Sequence, residues 1–116
     1  MKDFILVAKA LSDPNRVKIL KILQNRTMCV CELQDVLGIA QPTVSKHLKQ
    51  LEEAGLVAST KDGLWVNYRL EQGKNPYAAS MLGNLRYWME NDPSISEVVG
   101  RAKTADRDKL IRKNKI

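Results

Sequence analysis

Three observations predict a mainly α-helical domain with a small β-hairpin, arranged as a winged helix-turn-helix. Apolar residues recur at helical spacing over much of residues 4–54. Two short amphipathic segments flank a tight turn, Gly38-Ile39-Ala40-Gln41, and two strand-like runs joined at Asp62-Gly63 follow at once. With 116 residues, 44% of them hydrophobic, the chain supports one packed domain and not two of ordinary size.

A first short helix is expected over residues 4–11, ending before Ser12-Asp13-Pro14. Asp13 suits an N-cap and Pro14 the first helical position, so a second helix begins there. Val17, Leu20 and Leu23, flanked by Ile19 and Ile22, form its core stripe, with Arg16, Lys18 and Lys21 pointing elsewhere. The segment from Cys29 to Leu37 places Val30, Leu33 and Leu37 on one face, and Gly38 ends it in a left-handed cap. After the turn, residues 42–54 make a helix that buries Val44, Leu48 and Leu51 and stops at Gly55. Gln41, Thr43, Ser45, Lys46, His47, Lys49 and Gln50 then lie on its exposed sides, polar first and positive next, as on a recognition helix. A helical hairpin with a solvated face shows the same pattern.

The hairpin that follows narrows the choice. Leu56 to Lys61 and Leu64 to Leu70 read as strands, with Val66, Tyr68 and Leu70 toward the core and Trp65, Asn67 and Arg69 on the other face. A hairpin directly after a recognition helix is a wing, on which Lys61 and Arg69 are candidates for gripping phosphates, although a basic hairpin is also an ordinary solvated surface. Tyr77, Met81, Leu82, Leu85, Trp88 and Met89 then stripe a helix over residues 76–90, closed by Asn91-Asp92-Pro93. So much apolar surface in a small domain suggests a homodimer seam shared with the first helix, although plain core packing would show the same stripe. The domain is expected to span residues 1–91. Residues 92–116 are expected to be a basic tail, partly helical around Ile95, Val98, Val99 and Ala102 and dispensable for folding.

Charge points to the partner. The net charge is +6, and residues 92–116, with 7 basic and 4 acidic groups, hold half of the excess. That balance favours an anionic partner such as nucleic acid. The apolar run from Phe4 to Ala8 is too short for a membrane span or a secretory core, so the expected compartment is the cytoplasm, with no membrane partner. There the only two cysteines, Cys29 and Cys31, stay reduced, and metal binding or redox sensing is favoured over a structural disulfide. No catalytic constellation emerges. Ser-His-Asp sets, phosphate-cradling glycine loops and paired acid and base groups have no counterpart, and the spacing is Cys-x-Cys without a surrounding βαβ pattern, so an enzyme is not expected.

Four segments together carry a resemblance: Ala10-Leu11-Ser12-Asp13-Pro14-Asn15-Arg16, Met28-Cys29-Val30-Cys31-Glu32-Leu33, the run from Gln41 to Leu48, and the run from Gly63 to Leu70. Over residues 4–90 the chain resembles the arsenic-repressor (ArsR) family of bacterial winged-helix regulators. The resemblance implies a homodimeric repressor that binds a partly palindromic double-stranded operator and lets go when a metal or metalloid binds. It implies DNA-facing roles for Gln41, Thr43, Ser45, Lys46 and His47, the last of which also reads as a hydrogen-bonded helix residue, and it matches Cys29 and Cys31 to the family's arsenite-binding Cys-Val-Cys.

The sequence departs from the family's variants in ways that narrow the effector. Gln34 stands where some arsenite sensors have a third cysteine, residues 1–28 hold none of the N-terminal cysteines of cadmium and lead sensors, and the single histidine is His47. Two soft thiolates fit As(III) or Sb(III), completed by water or an external thiol, and no resident cofactor is required. Zinc is a poorer match, because two cysteines cannot supply four protein ligands. On a helix, Cys29 and Cys31 at i and i+2 point about 200° apart and cannot both reach one ion, so binding is expected to unwind or distort the first turn. A redox switch and a pair of inert buried cysteines remain as alternatives.

Overall fold

The computed structural model describes residues 1–114, with side chains through Leu110, and its elements follow the order expected for a winged helix-turn-helix. Helix α1 spans Lys2–Ala10, α2 Pro14–Leu23, strand β1 Met28–Cys29, α3 Val30–Leu37 and α4 Gln41–Glu53. Strands β2 (Val57–Asp62) and β3 (Trp65–Leu70) form the hairpin, and α5 (Pro76–Leu85), α6 (Pro93–Ala102) and α7 (Arg107–Asn114) complete the chain. The sheet is antiparallel, in the order β1-β3-β2.

Local chemistry explains most boundaries. Asp13 caps α2 by accepting from the backbone N–H of Asn15 (2.8 Å) and Arg16 (3.3 Å), with Pro14 at the start of the helix. Gly38 ends α3 at φ 68°, its N–H donating to Gln34 O. Helix α4 begins one residue earlier than expected, at Gln41, and buries Val44, Leu48 and Leu51. Gly55 turns the chain out of α4 at φ 77°, where an added Cβ would lie 2.9 Å from Asn75 Nδ2. That Asn75 side chain donates to Ala54 O (3.2 Å) and accepts from Ala78 N–H (2.8 Å), so one residue joins the end of α4 to the start of α5.

Several expectations need correction. Lys21 does not point away from the core: it is 2% exposed, and its Nζ donates to Leu85 O (2.7 Å), Trp88 O (2.9 Å) and Glu90 Oε1 (3.4 Å). The ammonium is thus satisfied by two carbonyls and a carboxylate, and it holds the C-terminal end of α5. That helix therefore ends at Leu85 instead of continuing to residue 90, and the chain reverses through Met89 at φ 61°. In α3, Leu33 and Val36 form the fully buried pair, while Val30 and Leu37 pack only partly against the core. In the hairpin, Asp62 belongs to β2 and pairs with Trp65, so the loop is Gly63-Leu64 with only Gly63 at positive φ, as in a type II′ turn. Val66 near the tip stays exposed, while Tyr68 and Leu70 pack against the core.

The core does not end at residue 91. Val98 and Ala102 of α6 and Ala105 beyond it belong to the same apolar cluster as Leu20, Leu33 and Leu48, and Arg101 Nη1 of α6 donates to Val36 O of α3 (3.0 Å). The segment expected to be a dispensable tail therefore completes the packed domain, and its last two residues, Lys115 and Ile116, lie outside the described residues. Among the described residues no helix is long and apolar enough to cross a membrane.

Candidate thiol site and nucleic-acid interface

The two cysteines are adjacent in space. Cys29 is the last residue of β1 and the N-cap of α3, with extended backbone (φ −86°, ψ 168°), and Cys31 lies in the first turn. Their sulfurs stand 2.8 Å apart as free thiols, Cys29 1% exposed and Cys31 partly exposed. The expectation of side chains about 200° apart assumed that both residues were helical. The extended N-cap swings the Cys29 sulfur back over the helix start, and no unwinding is needed to bring the pair together. A two-residue strand has no periodicity by which sequence could reveal it.

Burial pushes the Cys29 thiol up to about 12, reinforced by its hydrogen bond with Cys31 and by the charge of Glu32, while a backbone N–H at Glu32 opposes the shift. Glu32 is not a solvated first-turn charge. It is buried, its Oε1 accepting from Cys29 N–H (3.0 Å) in a capping box and its Oε2 from Arg26 Nη2 (2.8 Å). Among the described residues, no three His, Cys, Asp or Glu side chains gather to hold a metal ion. The site therefore offers two sulfurs from the protein.

Helices α3 and α4, joined through Gly38 to Ala40, form the helix-turn-helix. Gln41, Thr43, Ser45, Lys46 and Lys49 stand exposed on α4, as the pattern required. His47 differs. Its side chain is 12% exposed, with Nδ1 3.2 Å from Arg16 Nη1 and Nε2 4.0 Å from Asp13 Oδ1. The same Arg16 donates to Ala10 O, Lys9 O and Gln50 Oε1, so it fastens the recognition helix to α1 and α2. Burial of Asp13 opposes its ionisation, but the N–H groups of Asn15 and Arg16, aided by the His47 and Arg16 charges, hold its carboxyl below the usual range. His47 thus braces the helix from behind, and Arg16 is a residue whose part sequence reasoning missed, its only signal being the Asp13-Pro14 cap beside it.

Lys61 and Arg69 are both exposed, but they do not share a face of the wing. Lys61 is the ladder partner of Val66 and Arg69 that of Ala58, an odd number of residues apart, so the two side chains leave opposite faces. Arg69 Nη1 also donates to Thr60 Oγ1 (2.7 Å). Trp65, on the face of Arg69, lies beneath the guanidinium of Arg107, 4.9 Å from carbon to ring centroid. The wing is bound to the thiol site directly: β1 pairs with β3, placing Met28 opposite Tyr68 and Cys29 opposite Asn67.

Known proteins agree with this architecture. Residues 13–59, which contain α2, the thiol pair and the whole of α4, match the family described as bacterial regulatory protein, arsR family. An arsenical resistance operon repressor of Escherichia coli is 38% identical over 79 residues, covering 67% of this chain and 68% of that protein. The chain belongs to the arsR family of bacterial regulatory proteins. It is accordingly a DNA-binding transcriptional regulator and not an enzyme. An uncharacterised helix-turn-helix regulator of Methanocaldococcus jannaschii is 48% identical over 63 residues, covering 53% of this arsR-family chain and 71% of that protein. Among solved structures, the homodimeric winged helix-turn-helix DNA-binding domain of a possible ArsR-family regulator from Mycobacterium bovis aligns with a TM-score of 0.63 at 25% identity, over 73% of this chain and 76% of that one.

Proposed function

We propose that this regulator is a homodimeric repressor that releases its operator when Cys29 and Cys31 take up As(III) or Sb(III). The observation that carries the proposal is the pair of free sulfurs 2.8 Å apart, Cys29 buried and Cys31 partly exposed, at the root of the helix-turn-helix, with Cys29 in the same ladder as the wing. The arsenical resistance repressor of Escherichia coli among its relatives supports the effector class. The homodimeric relative supports the assembly, as do Phe4, Ile5 and Tyr77, which stay 51%, 40% and 42% exposed on α1 and α5.

The chemistry suits a thiol that is hard to ionise. Arsenous acid is a neutral trihydroxide, and each incoming thiol forms an As–S bond as an As–O bond breaks, its proton leaving with the hydroxyl as water. Two such exchanges consume two thiols and release two waters without electron transfer. No oxidant is needed, and the proton of Cys29 leaves in one of those waters. The two sulfurs must spread to share one ion, because two sulfurs bonded to the same trigonal-pyramidal As(III) centre cannot stand as close as 2.8 Å. Spreading Cys29, which is fixed in the ladder, against Cys31, which is fixed in α3, is the strain that the effector introduces, and it weakens DNA binding only as far as the effector prefers the strained state.

On the DNA side, Gln41, Thr43 and Ser45 at the start of α4 read base edges, Lys46, Lys49 and Lys61 meet phosphates, Arg69 is held to Thr60 on the opposite face of the wing, and His47 supports the helix. Arsenite added under reducing conditions to a complex of the purified protein with its operator is expected to lower affinity by about 5–150-fold. Cys29→Ser and Cys31→Ser should each bind operator and ignore arsenite. Release by an oxidant alone, or an unchanged arsenite response in either variant, overturns the proposal in favour of a redox switch or a different effector site.

A further inference from the structure

The thiol pair and the tip of the wing are joined by a closed ring of contacts. Cys29 N–H donates to one oxygen of Glu32 (3.0 Å), whose other oxygen accepts from Arg26 Nη2 (2.8 Å), and the same Nη2 donates to Ala105 O (2.7 Å). Ala105 is buried and stands just before α7, whose first residue is Arg107. Arg107 reaches Asn67 Oδ1 with Nη1 (3.4 Å) and Asp62 Oδ2 with Nη2 (3.3 Å) while its guanidinium lies over Trp65. Asn67 is the ladder partner of Cys29, and there the ring closes.

We infer that Arg107 is a positioning residue for the wing and that the state of the Cys29–Cys31 pair governs its grip, an inference that rests on the effector reading above. A two-stranded hairpin is marginal by itself in water, and from Lys61 to Val66 every residue but the half-buried Trp65 is exposed. Arg107 fastens this distal part, because one planar side chain touches Asp62, Trp65 and Asn67 together. Its anchor is indirect. Ala105 is fixed by Arg26, Arg26 by the buried Glu32, and Glu32 by the N–H of Cys29. Glu32 thus reads the position of Cys29 through a hydrogen bond, and spreading the sulfurs disturbs that bond at its origin. The result arrives at the wing from two sides, along β1 to β3 and through Arg26 to α7.

Arginine suits this place and lysine does not. A flat, forked guanidinium bonds two separate acceptors while stacking on a ring, whereas an ammonium is a point charge. The test uses the 116-residue chain, an operator fragment, and sodium arsenite as the probe, and it follows arsenite binding by As–S charge-transfer absorbance separately from operator affinity by fluorescence anisotropy. Arg107→Ala and Arg107→Lys are expected to bind arsenite as the unaltered protein does, to bind operator more weakly without arsenite, and to change operator affinity by less than about two-fold when arsenite is added, below the usual range of coupling. A simple loss of charge would spare the lysine variant. In the DNA-free, unaltered protein, the Asn67 side-chain amide resonances should shift on arsenite binding, a readout that needs no variant to fold. An Arg107→Ala protein that responds to arsenite as fully as the unaltered one, or Asn67 resonances that do not move, overturns this inference. An unaltered complex that ignores arsenite overturns the function proposed above instead.

Discussion

Cys29 and Cys31 differ in what their surroundings allow. A thiol is nucleophilic as its thiolate, and burial has pushed Cys29 up to about 12. With its folded value above the ordinary one of 9.0, Cys29 favours the folded state fully below pH 9 and loses that contribution as the pH rises toward about 12. Alkylation with iodoacetamide at mildly alkaline pH should therefore mark the more exposed Cys31 first, with Cys29 marked only after unfolding. Peptide mass spectrometry reads the order, and equal labelling of both in the folded protein would contradict the buried placement. Lys21 makes a second test at this scale. Lys21→Ala leaves two carbonyls without their donor and should cost roughly 2–4 kcal/mol in urea unfolding. In the sequence Lys21 is one cation among apolar neighbours, and no spacing rule distinguishes a lysine that caps another helix from one that faces water.

Elements with a chemical signal at both ends were legible. The Asp13-Pro14 start of α2, the Gly38 stop of α3 and the α4 stripe of Val44, Leu48 and Leu51 follow from capping and periodicity, which act within a few residues. What escaped depends on contacts distant in sequence. Strand β1 exists because Met28 and Cys29 find Tyr68 and Asn67, and α5 stops at Leu85 because Lys21, 64 residues earlier, takes that carbonyl. The thiol pair was visible as a spacing, but its geometry was not, since the N-cap conformation of Cys29 reversed the direction inferred from a regular helix. Helix α6 was visible as a hint and misjudged in weight, because its packing on α2 and α3 cannot be read from its own residues. Val98→Ala, with two methyl groups removed at about 0.8 kcal/mol each and a cavity left behind, should lower stability by about 2 kcal/mol, and deletion of residues 93–116 should lower the melting temperature steeply. A truncated chain that melts like the full one would return α6 to the status of a tail.

For the whole molecule, DNA affinity should depend on salt and on assembly together. Removing any one of Lys46, Lys49 and Lys61 should reduce the slope of log affinity against log salt by about one unit for each phosphate which that lysine neutralises, without changing the preferred bases. A slope that stays constant would place that lysine away from the backbone. Phe4 and Tyr77 meet edge to face, with ring centroids 5.5 Å apart, on the exposed side of α1 and α5. Tyr77→Glu should yield monomers in sedimentation and lower operator affinity much further than any single lysine change. A dimer that survives this change would move the seam elsewhere.

The Asn75 link between α4 and α5 bears on the homodimer proposed above. One side chain closes the end of the reading helix and opens the helix that bears Tyr77, so the two meet at a single joint. A two-fold dimer contains that joint twice, and any rotation at it is doubled in the span between the reading heads, which must match half-sites roughly 34–36 Å apart. In the proposed homodimer Asn75 is then a gauge block for spacer length, at the end of α4 away from Gln41, Thr43 and Ser45. Asn75→Ala should favour an operator whose spacer is one base pair longer or shorter while the half-site sequence preference stays the same. A panel of spacer lengths measures this, and an unshifted optimum would mean that the gauge lies in the seam itself.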